Sequence, residues 1–516
     1  MSAIRRPLAG MGTLSLLLAL LPLFVHAAPP ARAEPYDALR QDIEARIADG
    51  RLTGVAVALV HDGRIVWEDG FGWADRETGR RAGSRVAFSV ASTTKPFTTT
   101  AMMTLVRSGA LSLDAPVNTY LGPHEIVDEA GPAAGVTLRR LATHSAGMPT
   151  FFAMYPEGGG ARRPSVDALL RDYGHVVAPP GERYEYSNLG MAVIAEVVAR
   201  RSGQAFGTYL RQHVLEPLGM RDSFFARDIE RLPEMATRYA DDGTRLPFYL
   251  TATPGSGELY ASAHDLARFA MFHLGERVPG AQVLDADALR LLHAPATPIA
   301  GPLHYAMGWQ VWRSEAFGEV LYHGGGQSGV AAEFVLVPEA GAAAVVVSNR
   351  RGDRAFFESL RDRMLRSVVP GWRGIPAAPQ PGVVPLAPLR DYLGQWRGTL
   401  LAQGRQVPIR LSIAGAGDAR LSLDGGPDAP VEDIGLVDGR LSGDVHAAID
   451  APDARRERLE RLSLDLTLRG DRIDGEIVAW RKTSTNMTIL PFWTRLRRAE
   501  ARAPAADGGR APPATR

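Results

Sequence analysis

The chain has 516 residues and is 45% hydrophobic, so it can bury a sizeable core and is long enough for about three domains. Its 58 Lys and Arg residues balance its 57 Asp and Glu residues, and the formal net charge of +1 argues against nucleic-acid binding. The absence of cysteine excludes disulfides, thiol nucleophiles and cysteine-ligated metals, so covalent chemistry must use oxygen or nitrogen.

The first 33 residues have the layout of a secretory signal peptide. Arg5 and Arg6 precede an apolar run at residues 14–25, and small residues follow up to Ala33. The apolar run is shorter than the roughly 20 residues that a helix needs to span a bilayer. We therefore expect a cleaved signal at residues 1–33 and a periplasmic or secreted protein without a stable membrane span. An uncleaved anchor is the alternative.

Residues 34–370 carry the patterns of one α+β domain. Short β-prone runs predict strands at residues 55–60, 65–67, 320–323, 332–337 and 343–348. Glycine-containing turns are predicted at residues 61–63, 324–329 and 338–341. Helical periodicity is clearest at residues 92–108 and 189–215. Hairpins at both ends with helices between them predict an antiparallel sheet flanked by helices, with a helical subdomain.

The last part of the chain predicts a second, smaller domain. Residues 371–388 are rich in Pro, Gly and Ala, which is typical of a linker. Short β-prone runs follow at residues 399–401, 407–413, 419–423, 434–437, 462–468 and 473–480. Their regular spacing predicts a small antiparallel β-barrel at residues 389–500. Residues 501–516 lack core-forming side chains and are predicted to be disordered.

Residues 92–95 (Ser-Thr-Thr-Lys) place a hydroxyl and an amine one helical turn apart. Pro96 suits the first turn of a helix, so Ser92 is predicted to open that helix and Lys95 to share its face. A serine becomes nucleophilic when a base takes its proton, and a lysine buried at a helix N-terminus has its ammonium form disfavoured. The only other lysine is Lys482. A capping serine beside a solvated lysine would give the same pattern.

Residues 186–188 (Tyr-Ser-Asn) lie in a turn before the helix that is predicted from residue 189. Tyr186 could pass a proton to a leaving group if nearby positive charge lowers the pKa of its phenol from about 10. The amide of Asn188 could hold a substrate carbonyl or the lysine. A buried tyrosine followed by a capping Ser-Asn pair is the alternative interpretation.

Residues 323–326 (His-Gly-Gly-Gly) end the strand that is predicted from Val320. Glycines at this position let a substrate approach the strand backbone, so that an N–H group can face a developing oxyanion. The His-x-Gly pattern is weak by itself, because it also occurs at the predicted hairpin turn at residues 61–63.

The three motifs, in this order, make the chain resemble the serine β-lactamase and penicillin-binding-protein superfamily, most of all its class C, D-aminopeptidase and esterase branch. Residues 141–149 and 257–266 also look like scaffold segments of that superfamily, and the resemblance covers about residues 36–369. It implies acyl transfer with Ser92 as nucleophile, Lys95 as its activating partner and Tyr186 as proton shuttle. Four further residues would bind substrate: Asn188, His323, Gly325 and Gly326.

The resemblance further implies an oxyanion hole made by the backbone N–H groups of Ser92 and Gly326. The chain departs from the β-lactamase pattern at the third motif, where Lys-Thr-Gly is replaced by His323 and two glycines. A permanent cation and a hydroxyl donor are thereby lost, because an ordinary histidine is mostly neutral at pH 7. The departure favours an ester, an amide or a small peptide over a β-lactam. The Lys-Thr pair at residues 482–483 lies in the predicted barrel and is rejected as a substitute.

Residues 392–398 look like the start of the lipocalin-like module that is often appended to this superfamily. Tyr392 and Trp396 are interpreted as core residues rather than as a ligand-binding pair. The barrel could cover the mouth of the active site, while the loops at residues 151–163 and 238–254 are expected to shape the pocket.

The sequence thus predicts an exported serine hydrolase that acts on a small-molecule ester, amide or peptide without a cofactor. No His-Glu-x-x-His motif supports a zinc hydrolase, and the histidines are scattered. Residues 255–257 (Gly-Ser-Gly) lack the spacing of an α/β-hydrolase nucleophile, so Ser256 is interpreted as a turn residue. The remaining alternative is a catalytically silent, penicillin-binding-like scaffold or binding protein.

Overall fold

In the computed structural model, the described residues are 36–499 without 228, 277, 279, 281, 379–388, 416 and 484. The predicted signal peptide, the second half of the predicted linker and the predicted tail lie outside this set. Residues 371–378, the first half of the linker, are described and contain no helix or strand. No helix within the described part is both long and apolar enough to cross a membrane.

Helices occupy the middle of the chain and flank both ends of the first domain. Over the described residues the α-helices are Asp37–Ala48 (α1), Thr94–Arg107 (α2), Leu138–Ala142 (α3), Val166–Tyr173 (α4), Asn188–Ser202 (α5), Phe206–Leu210 (α6), Ala263–His273 (α7), Ala286–His293 (α8), Arg354–Arg366 (α9) and Pro452–Glu457 (α10). Short 3₁₀ turns include Ala91–Thr93, directly before α2.

The strands of the first domain are Gly54–His61 (β1), Arg64–Asp75 (β2), Arg80–Arg81 (β3), Phe88–Ser89 (β4), Met154–Pro156 (β5), Phe224–Phe225 (β6), Tyr249–Thr251 (β7), Leu259–Ala261 (β8), Thr297–Ala300 (β9), Leu303–Tyr305 (β10), Gln310–Ser314 (β11), Gly318–Gln327 (β12), Val330–Val337 (β13) and Ala342–Ser348 (β14). Nine of these described strands form one sheet in the order β3-β2-β1-β14-β13-β12-β11-β10-β9.

The predicted joining of the two ends of the domain in one antiparallel sheet is confirmed. β1 pairs with β14 in a register that sets Val55 opposite Ser348. Successive residues of β1 face two cores: Ala56 and Ala58 pack towards the helical insertion, whereas Val57 packs towards α1 and α9. Because both faces are covered, β1 is apolar from Val55 to Val60, and each fully buried Val or Leu contributes about 1.5–3 kcal/mol.

The single helix that was predicted at residues 189–215 is three separate elements in the structure. α5 ends at Ser202 because Gly203 adopts a left-handed conformation with φ of +71°, which glycine tolerates without a Cβ penalty. The chain then forms α6 and a wider π-helical turn at Arg211–Leu215. α5 packs against α2 through apolar residues, so the insertion brings the 92–95 and 186–188 segments side by side.

The second domain is a closed antiparallel barrel, as predicted. Its eight strands, all within the described residues, are Gly394–Ala402 (β15), Arg405–Gly415 (β16), Asp418–Leu423 (β17), Ala429–Val437 (β18), Arg440–His446 (β19), Arg461–Arg469 (β20), Arg472–Lys482 (β21) and Met487–Arg498 (β22). The sequence did not predict β19 or β22, because Gly443 and Pro491 interrupt their strand patterns. β22 pairs with β15 and with β21, which closes the barrel and leaves no open edge.

The interpretation of Trp396 as a core residue is confirmed. Its side chain is buried in the barrel, and its Nε1 donates a hydrogen bond of 2.7 Å to the carbonyl oxygen of Tyr392. Tyr392 is also buried. The bulky pair therefore fills the barrel interior rather than lining a ligand site.

The barrel contacts the first domain through backbone and side chains. Phe152 and Ile489 exchange backbone hydrogen bonds of 3.0 and 2.7 Å. The hydroxyl of Tyr173 donates to the Asp453 carboxylate over 2.9 Å. Such paired contacts fix the barrel against the helical subdomain on the side that carries the turn before α5.

Candidate active site

Ser92 lies in the centre of the 3₁₀ turn that precedes α2. The preceding residue, Ala91, has a φ of +45°, a left-handed conformation that costs a residue with a Cβ about 1–3 kcal/mol. The hydroxyl of Thr94 donates to the Ala91 carbonyl over 2.7 Å and stabilises this turn. Ser92 therefore does not open or cap the helix as the sequence suggested. The strained turn instead presents its hydroxyl to a cavity.

Lys95 is fully buried, with its Nζ 3.0 Å from the Oγ of Ser92. The amine also donates a hydrogen bond of 2.9 Å to the backbone carbonyl oxygen of Ser256. Burial holds the pKa of Lys95 well below its usual value of 10.5, because no carboxylate compensates for the lost hydration of an ammonium. A neutral amine beside Ser92 has the lone pair that is needed to take the serine proton.

The hydroxyl of Tyr186 donates a hydrogen bond of 3.0 Å to the same Ser92 oxygen. Its ring lies beside the amine, with Lys95 Nζ 4.8 Å from the ring centroid. Loss of hydration raises the pKa of Tyr186 to about 12 and outweighs the opposing effect of the Ser92 bond. The sequence-based expectation of a lowered pKa is therefore wrong, because the neighbouring lysine is itself driven towards its neutral form. In the resting site Tyr186 is a phenol that can donate a proton.

The glycines of the third motif belong to strand β12, so the turn that the sequence predicted at residues 324–329 is wrong. β12 continues to Gln327, and only residues 328–329 form the turn to β13. A Cβ on Gly325 would overlap the carbonyl oxygen of Val90, whereas one on Gly326 would meet no atom within 4 Å. Gly325 thus lets the strand approach the segment that carries Ser92, and Gly326 borders open space.

His323 is buried, and both of its ring nitrogens are bonded within the protein. The Nδ1 atom donates to the Gly324 carbonyl over 2.8 Å, so Nε2 accepts the hydrogen bond of 3.0 Å from the hydroxyl of Tyr305. Burial lowers the pKa of His323 to about 3, with a further contribution from Lys95 and against the effect of the Gly324 bond. His323 therefore supplies no cation and has no free ring nitrogen for a substrate.

Asn188 is the first residue of α5 and is buried. The preceding Ser187 caps the helix, and its Oγ accepts a hydrogen bond of 2.8 Å from the Gly190 amide. The hydrogen bonds of the Lys95 amine go to Ser92 and Ser256, so the option that Asn188 holds the lysine is not realised. Its role towards substrate stays a prediction.

Ser256 contributes to the site in a way that the sequence could not reveal. Its contribution to Lys95 is a backbone carbonyl oxygen, which any residue type would supply. Two hydroxyl groups fix the loop: Thr98 donates to the Gly255 carbonyl over 2.7 Å, and Ser256 Oγ donates to the Thr253 carbonyl over 2.8 Å. The interpretation of Ser256 as a turn residue is confirmed for its side chain, and the contact of its backbone carbonyl with Lys95 is an addition that the sequence did not predict.

A cavity of about 710 Å³ opens from Ser92 and Tyr186. Its walls come from β12, β13, the start of α9 and residues 375–378. None of the described lining residues comes from the barrel or from the loops at 151–163 and 238–254, which differs from the sequence-based expectation. The cavity wall also includes Arg351, which makes no ion pair or side-chain hydrogen bond with the described residues.

The turn that carries Tyr186 is in contact with the barrel through charged side chains. Glu185 lies 2.9 Å from Arg183 and 3.8 Å from Arg440 at the start of β19. Burial raises the pKa of Glu185 despite these two cations. Glu182 also pairs with Arg469 over 2.9 Å. The barrel therefore contacts the turn that carries Tyr186 and does not line the cavity.

No cluster of three or more His, Asp or Glu residues that could hold a metal ion occurs in the described part of the chain. The groups that converge on Ser92 are an amine and a phenol. The arrangement is suited to moving protons at a serine oxygen.

A family model described as beta-lactamase matches residues 39–368. Protein flp of Staphylococcus aureus (strain MW2) is 24% identical over 315 residues, which are 60% of this chain and 61% of that protein. The chain spans only 54% to 61% of the length of the first curated relatives that it matches.

Solved structures of other proteins share the fold. An octameric penicillin-binding protein homologue from Pyrococcus abyssi is 20% identical, with a TM-score of 0.56 over 88% of this chain and 99% of that one. The D-alanine carboxypeptidase AmpC from Burkholderia cenocepacia is also 20% identical, with a TM-score of 0.55 over 64% of this chain and 99% of that one. At these identities the likeness concerns the fold alone.

Proposed function

Because the chain belongs to the beta-lactamase family, we propose that it is an exported serine hydrolase that forms an acyl-enzyme at Ser92. The observation that carries this proposal is the convergence on one oxygen: Lys95 Nζ and the Tyr186 hydroxyl each lie 3.0 Å from Ser92 Oγ. Activation of a serine requires a base within hydrogen-bonding reach, and the neutral amine meets that condition.

In the acylation step, Lys95 takes the proton of Ser92 while Oγ attacks the substrate carbonyl. The N–H groups of Ser92 and Gly326 stabilise the negative charge that develops on the carbonyl oxygen. Tyr186 then donates its proton to the leaving group, and the proton held by Lys95 returns to the phenolate. The bond to the leaving group breaks, the ester to Ser92 remains, and both proton carriers regain their resting forms.

Deacylation uses the same groups in the same order. A water molecule replaces the leaving group, gives its proton to the Tyr186 and Lys95 pair and attacks the acyl carbon. The Ser92 oxygen leaves and regains a proton from that pair. No glutamate is required, since the second motif supplies a phenol rather than a carboxylate.

The substrate that we propose is an ester, an amide or a small peptide rather than a cephalosporin. The ring of His323 is neutral and bonded on both nitrogens, so the third motif has no cation for a β-lactam carboxylate. Arg351 is the one cavity guanidinium without a partner among the described residues. It follows β14 and lies outside the third motif, so it is available for a carboxylate carried by an ester or peptide substrate.

Parallel kinetics with p-nitrophenyl butyrate, D-Ala-p-nitroanilide and nitrocefin test the proposal, with Ser92→Ala as the control. We expect ester hydrolysis to exceed cephalosporin hydrolysis and Ser92→Ala to abolish both. Faster turnover of nitrocefin would overturn the substrate assignment. Equal activity of wild type and Ser92→Ala, or none with any acyl donor, would favour the silent scaffold.

A further inference from the structure

We propose that His144 is the positioning residue that holds the Tyr186 phenol on Ser92. This inference rests on the proposed hydrolase function. His144 lies in the turn after α3 and is distant from residues 186–188 in sequence, and the mechanism above does not use it. It forms no hydrogen bond with Ser92, with the Lys95 amine or with the Tyr186 hydroxyl, so it acts through the backbone around Tyr186 and through packing against the Tyr186 ring.

His144 forms hydrogen bonds with the backbone on both sides of Tyr186. Its backbone carbonyl accepts a hydrogen bond of 2.7 Å from the amide of Glu185. Its ring nitrogen Nδ1 accepts a second bond of 3.2 Å from the amide of Ser187. One residue thus satisfies the two amides that flank Tyr186, so the backbone that carries the phenol can shift only if one of these bonds breaks.

The backbone conformation of His144 is strained, so other contacts of this residue must stabilise it. Its φ is +52°, a left-handed value, and the side chain is buried. Glycine would adopt this conformation without strain, whereas a residue with a Cβ pays about 1–3 kcal/mol. In the described part of the first domain the only other such residues are Asp62, in a hairpin turn, and Ala91, beside the nucleophile.

The chemistry of the ring points to the Nδ1 acceptor as the reason for histidine. Acceptance at Nδ1 requires a neutral ring with its proton on Nε2. Burial and the nearby Lys95 and His323 keep the pKa of His144 well below 6.5, so the acceptor persists. Nε2 has no hydrogen-bond partner among the described residues, which costs about 1–3 kcal/mol.

The ring packs between two tyrosines, with centroids 4.5 Å from those of Tyr186 and Tyr305. A purely apolar side chain would fill this space without burying an unpaired N–H group. Packing alone therefore does not explain why this residue is a histidine. The hydrogen bond from the Ser187 amide to Nδ1 does explain it. The occupied Nδ1 also leaves His144 unable to act as a base towards Ser92.

A double-mutant cycle with two matched amides tests this role in the full-length protein. The oxygen of Asn in His144→Asn can occupy the place of Nδ1, whereas in His144→Gln the amide lies one bond farther out. We expect His144→Asn to keep kcat for p-nitrophenyl butyrate within about five-fold. His144→Gln should lower kcat by about 100-fold with little change in KM, as a misplacement of about 1 Å does.

The cycle is closed with Tyr186→Phe, which removes the hydroxyl that His144 is proposed to hold. In the Tyr186→Phe background, His144→Gln should lower kcat by less than about two-fold further, because the positioned group is already gone. Full additivity, equal losses in the Asn and Gln variants, or failure of both variants to fold would overturn the positioning role. If the wild type itself does not hydrolyse the ester, the proposed function fails instead.

Discussion

Tyr186 donates a hydrogen bond of 3.0 Å to Oγ of Ser92 across 94 residues of sequence. The two residues meet because α5, which starts two residues after Tyr186, packs against α2, which starts two residues after Ser92. The fold thus brings the phenol to the nucleophile from a distant part of the chain.

The pH dependence of ester hydrolysis should follow the titration of Lys95 rather than that of a histidine. Lys95 must be deprotonated to accept the serine proton, and its lowered pKa moves the rising limb of activity below 10.5. Tyr186, with a pKa of about 12, should produce no falling limb near pH 10. His323, with a pKa of about 3, should give no inflection between about pH 5 and 8.

This profile is measured as kcat/KM for a neutral ester, so that the substrate itself does not titrate. A rising limb at pH 10.5 or above would contradict the lowered pKa of Lys95, and a fall in activity near pH 10 would contradict the raised pKa of Tyr186. Tyr186→Phe serves as the control for the alkaline side, since it removes the phenol.

Two adjacent glycines should respond differently to the same substitution. In Gly325→Ala the new methyl group would overlap the Val90 carbonyl, which should lower stability by about 1–3 kcal/mol and displace β12 from Ser92. Gly326→Ala meets open space and should fold as the wild type does. Thermal unfolding of both variants checks this, and equal melting temperatures would show that the close approach at Gly325 is unimportant.

Arg351 should select for anionic substrates. It lines the cavity without a partner among the described residues, so a carboxylate on the substrate would gain a charge-assisted hydrogen bond. We expect Arg351→Gln to raise KM about ten-fold, or about 1.4 kcal/mol, for an ester with a carboxylate. KM for a matched neutral ester should not change, and an equal rise for both esters would rule out charge recognition.

The acidic residue Glu476 should destabilise the protein at neutral pH. It is buried near Glu185 and Asp465, its Oε1 has no hydrogen-bond partner in the described part, and burial raises its pKa well above 4.5. A raised pKa in the folded state means that stability is present below the unfolded pKa and is lost as pH rises through the folded value.

Glu476→Gln should therefore raise the free energy of unfolding by about 1–3 kcal/mol at pH 7 to 8, with a smaller gain near pH 4. Glu460→Gln, at an exposed position, is the matched control and should change little. Chemical denaturation at both pH values provides the comparison. A gain that is larger at low pH would reverse the assigned direction of the pKa shift.

Features that depend on short-range patterns could be predicted from the sequence. The spacing of Ser92 and Lys95 specifies one helical turn, and the continuous apolar runs in β1 and β14 specify strands that are buried on both faces. The spatial meeting of Ser92 with Tyr186 required the order of motifs known from the family, since no local pattern connects residues so far apart.

Other features depend on burial and backbone geometry, which the sequence does not display. The pKa of Tyr186 rises because its surroundings are dry, and the Ser256 carbonyl contacts Lys95 through atoms that every residue has. The glycines at 324–326 suggested a turn, yet they lie in β12 because Gly325 must pass the Val90 carbonyl. His144 was visible only as part of a scaffold segment, since its role lies in two bonds to distant amides.

The most direct test of the account is the rate at which a fluorophosphonate probe modifies Ser92, followed by mass spectrometry of the intact protein and its peptides. We predict a single modification on Ser92 in the wild type and in Lys482→Arg, whose lysine is exposed. Lys95→Arg should react about 10² to 10⁴ times more slowly, because a guanidinium cannot take the serine proton. Labelling of Ser92→Ala, or of Lys95→Arg at the wild-type rate, would contradict the claim that Lys95 activates Ser92.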